Sequence, residues 1–517
     1  MTFEIVFVLL SLLGMVAALV ADKMRPGMIL FSVVVLFLCA GILTPKEMLE
    51  GFSNKGMITV ALLFLVSEGI RQSGTLGQVI KKLLPQGKTT VFKAQLRILP
   101  SVAFISAFLN NTPVVVIFAP IIKHWAKSVN LPATKFLIPL SYVTILGGIC
   151  TLIGTSTNLV VHGMILEAGF EGFSMFELGK VGIFIAIAGI IYIFLFSKRL
   201  LPDARPDTAV PDEEVEEGEK LHRVEAVLGA RFPGINKKLK DFNFQRHYGA
   251  EVKEIKTRNG QRFVSNLEDV VLHEGDTLVV MADDTFIPTW GESSVFVLLT
   301  NGNEPDTTGK KKRWFALLLL VLMIVGATVG ELPITKEMFP DIKLDMFFFV
   351  SITTIIMAWT NLFPARKYTK YISWDILITI ACAFAISKAM VNSGVADSVA
   401  KFIIGLSDDY GPHVLLAMLF IITNLFTELI TNNAAAALAF PLALSIASQL
   451  GVSPTPFFVV ICMAASASFS TPIGYQTNLI VQGIGNYKFT DFVRIGLPLN
   501  IIAFLISIFL IPLIWPF

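Results

Sequence analysis

The sequence predicts an α-helical polytopic membrane protein with two inverted repeats, each of five spans and one re-entrant hairpin, and a small α/β domain between them. Composition is the first reason, because 54% of the 517 residues are hydrophobic and only 15% are charged, whereas soluble domains carry about 25% charged residues. The second reason is that several apolar runs approach or exceed the roughly 18 residues that span a bilayer. The third is that the two apolar halves share motifs at a nearly constant separation.

The first membrane repeat, residues 1–199, is predicted to contain one segment that enters and leaves the bilayer on the same side. That segment, 96–127, is broken in its middle by "NNTP", which suits two half-helices meeting at a tip. A later span is broken by "GTSTN". The predicted elements are, in order, 3–20, 26–43, 56–71, the hairpin 96–127, the broken span 133–167, and 179–198.

The second membrane repeat, residues 313–517, is predicted to follow the same plan. Its hairpin, 411–449, is broken by "TNN", and its later broken span is interrupted by "GYQTN". The predicted elements are 313–331, 343–360, 371–391, the hairpin 411–449, the broken span 455–486, and 492–514.

The repeat itself rests on three pairs of matching strings separated by about 320 residues. "TLIGTSTNLVVHG" (151–163) matches "TPIGYQTNLIVQG" (471–483), and "SAFLNNTPVVVIFAP" (106–120) matches "TELITNNAAAALAFP" (427–441). The third pair joins 57–74 to 377–394. Because each half crosses the membrane an odd number of times, the second must be inverted relative to the first, which is the plan of many secondary transporters.

The distribution of basic residues predicts the orientation in the cell membrane. With the amino terminus outside, the inside loops hold sixteen Lys and Arg and the outside loops hold seven. The positive-inside rule therefore favours both termini outside and residues 200–312 in the cytoplasm.

The polar breaks predict ion sites. A helix interrupted in hydrocarbon survives only where protein or a wet cavity satisfies its backbone groups. Half-helix amino ends suit an anion, and carbonyl, Asn and Thr oxygens suit a hard cation such as Na⁺, so two cation sites are expected to flank one anion site. The ionisable candidates at membrane depth are Glu68, Asp375, Lys388 and Glu428. Glu428 adjoins the second tip, where it would either couple protons or pair with a cation structurally.

The two tips, each followed by a broken helix with a Gly-x-x-Thr-Asn run, resemble the divalent anion:sodium symporter family over both membrane halves. The family's tip signature is Ser-Asn-Thr, whereas this chain has Asn110-Asn111-Thr112 and Thr431-Asn432-Asn433, so only the central Asn is kept. The resemblance implies sodium-coupled transport of sulfate or of di- and tricarboxylates by homodimers that move as elevators. Bulky Tyr475 and Gln476 favour a small oxyanion, sulfate first and a dicarboxylate second.

The resemblance also implies roles for individual residues, in three groups. The first sodium site would use Ser106, Asn110, Asn111 and Gly154, and the second would use Thr427, Ile430, Asn432 and Gly474. The anion would contact Asn111, Thr112, Thr155, Ser156, Asn432, Asn433, Tyr475 and Gln476. Support for the helix breaks is assigned to Thr157, Asn158, Thr477 and Asn478.

The stretch between the halves is soluble in composition. An acidic linker, 200–220, leads to an α/β unit at 221–300, and a basic linker follows at 301–312. In this unit "RNGQ" predicts a hairpin, 233–249 a short helix, and "GDTLVVMA" a final strand. The Gly-Asp turn and "FQRHYGAEV" resemble the TrkA carboxyl-terminal module, which implies a regulatory role and a small ligand such as a cyclic dinucleotide. Its basic residues would bind that ligand or form a solvated face.

Other classes of function find less support. The sequence has no catalytic constellation, no phosphate-binding loop and no cysteine spacing for a transition metal, so an enzyme is not expected. Nucleic acid is not expected as a partner, whereas a lipid bilayer is. A cation/proton antiporter or channel gated by the inserted domain, and a membrane anion sensor, remain the competing hypotheses beside sodium-coupled symport.

Overall fold

The computed structural model describes most of the chain. The residues described are 3–21, 24–203, 222–229, 231–257, 261–283, 286–290, 295–300, 309–339, 341–406 and 411–517. Most of the predicted acidic linker, residues 301–308 of the basic linker and part of the "RNGQ" turn lie outside them.

The first membrane half contains ten helices among its described residues. They are α1 (Phe3–Ala21), α2 (Pro26–Cys39), α3 (Pro45–Glu50), α4 (Lys55–Gln72), α5 (Thr75–Leu83), α6 (Val91–Ser106), α7 (Asn111–Ser128), α8 (Leu137–Gly148), α9 (Ser156–Glu167) and α10 (Gly179–Leu200). The pair α6–α7 brackets the predicted hairpin 96–127, and α8–α9 forms the predicted broken span.

The second membrane half repeats this order, except that its six-residue helix precedes the counterpart of α2 instead of following it. Its described helices are α13 (Lys310–Gly330), α14 (Pro333–Met338), α15 (Met346–Trp359), α16 (Trp374–Asn392), α17 (Val395–Leu406), α18 (Gly411–Leu429), α19 (Asn432–Leu450), α20 (Thr455–Ser466), α21 (Gln476–Gly485) and α22 (Phe489–Ile514). The basic run 310–313, predicted to close a linker, instead forms the first turn of α13. Lys and Arg are good helix formers, and their aliphatic stems lie along apolar surface while the charges stay in water.

Four short helices of the membrane halves, α3, α5, α14 and α17, were missed by the sequence prediction. The amphipathic α5 and α17 follow the symmetry-related α4 and α16. Each is preceded by a glycine with a left-handed backbone, Gly74 at φ 69° and Gly394 at φ 75°. A side chain is strained in that conformation, so the repeated Ser-Gly pairs mark where the spans end.

The helix lengths and surfaces confirm a polytopic membrane fold. Among the described residues, eight helices are long and apolar enough to cross a bilayer, and shorter apolar helices accompany them. The outward sides of α1, α10 and α22 carry exposed Leu13, Leu195 and Phe509. Apolar side chains exposed in this way along spanning helices face lipid.

Helices of each half pack on helices of the other half in symmetry-related pairs. Helix α2 packs on α16, and its counterpart α15 packs on α4. In the same way α7 packs on α21, and α19 packs on α9. Such reciprocal pairs are expected when two repeats are related by a twofold axis.

The two hairpins enter from opposite faces, which confirms the inversion. The outer end of α6–α7 lies on the face that carries the inserted domain, where Trp125 Nε1 donates to the Pro85 carbonyl at 2.9 Å and Lys123 contacts Glu225 at 2.9 Å. The outer end of α18 lies on the other face, where His413 contacts the Phe517 ring at 5.0 Å. The tips therefore meet inside the membrane part.

The inserted domain is a five-stranded sheet with small helical turns. Its elements are β1 (His222–Leu228), α11 (Phe244–Tyr248), β2 (Glu251–Lys256), β3 (Arg262–Phe263), β4 (Thr277–Ala282), α12 (Phe286–Trp290) and β5 (Phe296–Thr300). The order is β3-β2-β4-β1-β5, with antiparallel neighbours. The helix predicted over 233–249 is confined to α11, and strand β5 was not predicted.

Candidate functional site

Four helix amino ends meet where the two hairpin tips face each other. They belong to α7 and α19, which begin at the tips, and to α9 and α21, which begin after the two broken strings. The packing of α7 on α21 and of α19 on α9 brings each tip against the break of the other half. Unpaired N–H groups at these ends give the region a partial positive charge, which suits an anion.

Asn111 at the first tip is fully buried among oxygen atoms. One atom of its amide group lies 2.8 Å from Ser106 Oγ, 3.0 Å from the Thr144 carbonyl oxygen and 3.2 Å from that of Gly154. The other lies 2.6 Å from the Tyr475 hydroxyl. If the amide nitrogen takes the first position, it donates to these oxygens. If Oδ1 takes it, it accepts from the Ser106 hydroxyl and faces the two carbonyl oxygens, and such a group of oxygens suits a hard cation.

The second tip places its oxygens differently. Thr427 Oγ1 donates to the Ala465 carbonyl at 2.7 Å, while the Thr427 carbonyl lies 3.4 Å from Ser468 Oγ. A Cβ atom on Gly474 would stand 2.4 Å from that carbonyl, so only glycine permits this approach. Ile430, assigned to the second predicted sodium site, is buried at the second tip. Asn110, assigned to the first predicted sodium site, lines a small cavity at the first tip.

The Tyr475 hydroxyl joins the two tips. It lies 2.6 Å from the Asn111 amide and 2.9 Å from Thr155 Oγ1, and the Asn432 side chain lies nearby. Asn111 and Asn432 are the central tip residues that the two repeats share, so one hydroxyl lies near both. This bridge was not predicted, since Tyr475 was expected only to border the anion.

The other predicted anion contacts lie in the same network. Thr112 Oγ1 lies 3.3 Å from Gln476 Oε1. Across the axis, Asn433 Oδ1 accepts from Ser156 Oγ at 3.3 Å and from Thr157 Oγ1 at 3.2 Å. The structure thus brings together all eight residues that the sequence placed around the anion.

The repeated Thr and Asn residues tie each break to its own tip. Asn158 Nδ2 donates to the Thr151 carbonyl at 2.9 Å, and Asn478 Nδ2 donates to that of Thr471 at 3.1 Å. The hydroxyls of these threonines donate to the tip carbonyls of Ala107 and, at 3.1 Å, Glu428. Sequence reasoning missed this role of the two threonines, although both open the matched strings. Thr477, expected to support its break, accepts from Ser141 Oγ at 2.9 Å.

The four ionisable candidates fall in different places. Glu68 pairs with Arg71 at 2.7 Å, and Asp375 accepts from the backbone N–H of Gly27 at 3.3 Å. Lys388 lines a cavity on the face opposite the inserted domain. Glu428 alone of the four lies at a tip, where its carboxylate accepts from Asn500 Nδ2 at 2.7 Å.

A vestibule leads toward the site from the face opposite the inserted domain. This cavity of about 1300 Å³ is lined by charged and polar side chains that include Lys55, Glu167 and Lys388. Leu159 borders both the vestibule and the small cavity that contains Asn110 and Ser156. Leu159 is thus shared by the vestibule and the small cavity at the first tip.

The inserted domain sits on two helices of the site. Glu225 on β1 binds Lys123 on α7 through both carboxylate oxygens at 2.9 Å. Gly275, at φ +85° before β4, packs on Leu479, and Thr277 lies so close to Gly483 that a Cβ there would stand 2.6 Å from its hydroxyl. The domain therefore contacts α7 and α21, whose amino ends form the site.

Comparison with known proteins identifies relatives over nearly the whole chain. The citrate transporter family matches residues 16–447 and 342–516. An uncharacterized transporter of Synechocystis sp. is 30% identical over 93% of this chain and 92% of its own length. A probable sodium/sulfate cotransporter 3 of Chlamydomonas reinhardtii is 23% identical over 95% of this chain and 86% of its own length. A Na⁺/citrate cotransporter of Rattus norvegicus is 30% identical over 27% of this chain and 24% of its own length.

These matches agree with the resemblance to divalent anion:sodium symporters that the tips and broken strings predicted. They extend over both membrane halves and so include both tips. The chain therefore belongs to the citrate transporter family, and it is a multi-pass membrane transporter rather than an enzyme.

Proposed function

We propose that this protein is a sodium-coupled symporter of a divalent anion, with sulfate as the preferred substrate. The observation that carries the proposal is the oxygen cluster around the Asn111 amide, beside four helix amino ends that converge on Tyr475. Carbonyl and hydroxyl oxygens suit Na⁺, and helix amino ends suit an anion. The names of the Chlamydomonas and rat relatives, which both include sodium, support the same coupling.

The proposed sites keep the residues predicted from the sequence. Ser106, Asn110, Asn111 and Gly154 would hold one sodium ion, and Thr427, Ile430, Asn432 and Gly474 would hold a second. The anion would lie between the tips. Movement of the hairpins and broken helices against the remaining spans, in a dimer, is part of the proposal and rests on the family resemblance.

The preference for sulfate rests on space and polarity between the tips. Tyr475 fills the gap between Asn111 and Asn432, and Gln476 reaches Thr112. A small tetrahedral oxyanion that accepts from hydroxyl and amide groups fits this gap better than a longer carboxylate. A di- or tricarboxylate is the second candidate, because the matching family and the rat relative are named for citrate.

Uptake into proteoliposomes tests the proposal. The purified protein would be supplied with labelled sulfate, succinate or citrate, with an inward sodium gradient, with a pH gradient, or with neither. Sodium-driven accumulation of sulfate is expected, with competition by unlabelled sulfate. Accumulation that follows the pH gradient without sodium would overturn the proposal, and sodium-driven citrate uptake alone would replace sulfate with the second candidate.

Tyr475 is expected to set the size of the accepted anion. Tyr475→Ala would open the gap between the tips, so sulfate affinity should fall about tenfold or more through the lost hydroxyl, and succinate should become a stronger competitor. Competition curves against labelled sulfate measure both effects. Tyr475→Phe is the matched control, because it removes the hydroxyl but keeps the volume. If both variants admit succinate equally, Tyr475 does not act through its size.

We also propose that the inserted domain regulates transport, as its resemblance to the TrkA module suggests, and that a small anionic ligand such as a cyclic dinucleotide acts on it. Burial of the Glu225 carboxyl opposes ionisation, but the ammonium groups of Lys123 and Lys256 outweigh this and lower its pKa to about 2. A depressed pKa means that this ion pair is lost only as the pH falls through that value. The contact between domain and α7 is therefore stable at neutral pH.

Breaking this contact should raise the rate of uptake several-fold, since α7 would no longer be held by the domain. Lys123→Glu places a carboxylate against Glu225 and is the test, with the maximal uptake rate as the measurement. Lys127→Glu, one turn further along α7, is the control for added charge. Equal rates in the two variants would show that the contact does not restrain transport.

A further inference from the structure

The two tips differ by one charged residue. Ser106 and Ala107 end the first arm of hairpin one, and the corresponding residues of the second repeat are Thr427 and Glu428. A second difference lies on the neighbouring helix ends, where Gly148 in the first half corresponds to Ser468 in the second. In the first half the absent side chain of Gly148 leaves room for the Asn111 amide, which a Cβ would approach to 2.5 Å. In the second half a hydroxyl and a carboxylate occupy this region.

The two oxygens of the Glu428 carboxylate are held unequally. Its Oε1 accepts from Asn500 Nδ2 at 2.7 Å and from the Ser470 backbone N–H at 2.9 Å. Its Oε2 has only the Ser468 hydroxyl, at 3.4 Å. Among the residues that the structure describes, no Lys, Arg or His lies within ion-pair distance of Glu428, unlike Glu68 with its Arg71. A carboxylate at membrane depth without a counter-charge is costly and marks a functional position.

The weakly held oxygen of this carboxylate, Oε2, lies near residues of the proposed second sodium site. Ser468 Oγ lies 3.4 Å from Glu428 Oε2 and also 3.4 Å from the Thr427 carbonyl oxygen. Two oxygens that bind a hard cation at about 2.4 Å, at right angles to each other, stand about 3.4 Å apart. Ser468 Oγ therefore stands from each of the other two oxygens at the spacing of adjacent ligands in one coordination shell.

We infer that Glu428, with the Thr427 carbonyl and the Ser468 hydroxyl, binds the second coupled cation directly, which rests on the proposed sodium coupling. The second sodium site then carries a full negative charge, whereas the site around Asn111 is made of neutral oxygens. The two sodium ions bind with unequal affinity, and the ion at Glu428 binds first. It also neutralises the carboxylate that would otherwise repel the incoming anion.

Sodium binding without substrate tests this inference. Radioactive sodium would be titrated onto the purified full-length protein, and sodium-induced thermal stabilisation would be followed in parallel. Glu428→Gln should lower the higher of two sodium affinities about tenfold or more, while the weaker component is unchanged. Glu428→Asp should recover part of the loss, because the charge returns on a shorter side chain.

Asp375→Asn is the matched control. It neutralises another partly buried carboxylate that hydrogen-bonds to a backbone N–H but lies away from both tips, and its sodium binding should equal that of the unaltered protein. If Glu428→Gln binds sodium as the unaltered protein does, the inference is wrong while sodium coupling stands. If the unaltered protein binds no sodium, the proposed function fails together with it.

Discussion

Replacing Asn111 with alanine is expected to abolish sodium-dependent anion uptake. The change removes the side chain that lies between Ser106 and the carbonyls of Thr144 and Gly154 at the proposed first sodium site, and it leaves these buried carbonyls without their neighbour. Each unsatisfied buried group costs about 1–3 kcal/mol, and each 1.4 kcal/mol is a factor of ten. A loss of about a hundredfold or more in sodium affinity should therefore be seen in uptake measured against sodium concentration.

Asn111→Asp separates the two roles of this residue. Aspartate keeps an oxygen for sodium but adds a charge beside the anion, so sodium binding should persist while sulfate uptake is lost. Asn392→Ala is the control, because Asn392 bonds to Ile42 and Glu47 on the vestibule side, away from the tips. Normal sodium dependence in Asn111→Ala, with the protein folded, would remove Asn111 from the site.

Adding a methyl group at Gly154 should lower anion uptake about as much as Asn111→Ala does. A Cβ atom there would stand 2.5 Å from the Gly148 carbonyl oxygen and 2.7 Å from the Gly148 Cα, and both are backbone atoms that cannot rotate away. The break after α8 must then move and take the Gly154 carbonyl away from Asn111. We expect Gly154→Ala to lower uptake about a hundredfold, since overpacking of this kind costs typically 1–3 kcal/mol or more.

Gly14→Ala is the matched control, because no atom lies within 4 Å of the added Cβ in α1. Size-exclusion profiles and thermal unfolding of the two variants establish whether each is folded. Wild-type uptake by a folded Gly154→Ala protein would show that the first sodium site does not depend on this close approach.

Much of this architecture was predictable because membrane helices must be apolar and long. The odd number of spans and the repeated polar breaks led to the inverted plan, and the hairpin breaks were expected close to where α7 and α19 begin. Helices α5 and α17 escaped notice because amphipathic segments on a membrane surface lack long apolar runs. The basic run that opens α13 was assigned to a linker because charge was taken as a sign of one.

The residues that meet between the tips were predictable from the sequence, but their connections were not, and their roles as ligands stay a prediction. Matching the two strings identifies the residues near each break. It does not show how far along its helix each residue lies from the centre of the site. Whether Tyr475 borders the anion or spans both tips depends on the angle at which α21 meets α7, which sequence does not reveal. The same holds for Glu428, since the absence of a cationic partner is a property of all the helices around it.

The exchange of partners between the halves has a consequence for biogenesis. Helix α2 packs on α16, and α4 packs on α15, so each half buries part of its apolar surface only against the other. A ribosome that adds about 5–20 residues per second takes tens of seconds to go from α2 to α16. During that interval the newly inserted first half must wait in the bilayer with lipid, or an insertion factor, covering the faces that its later partners will occupy. Assembly of this transporter is therefore completed only after the inserted domain has been translated.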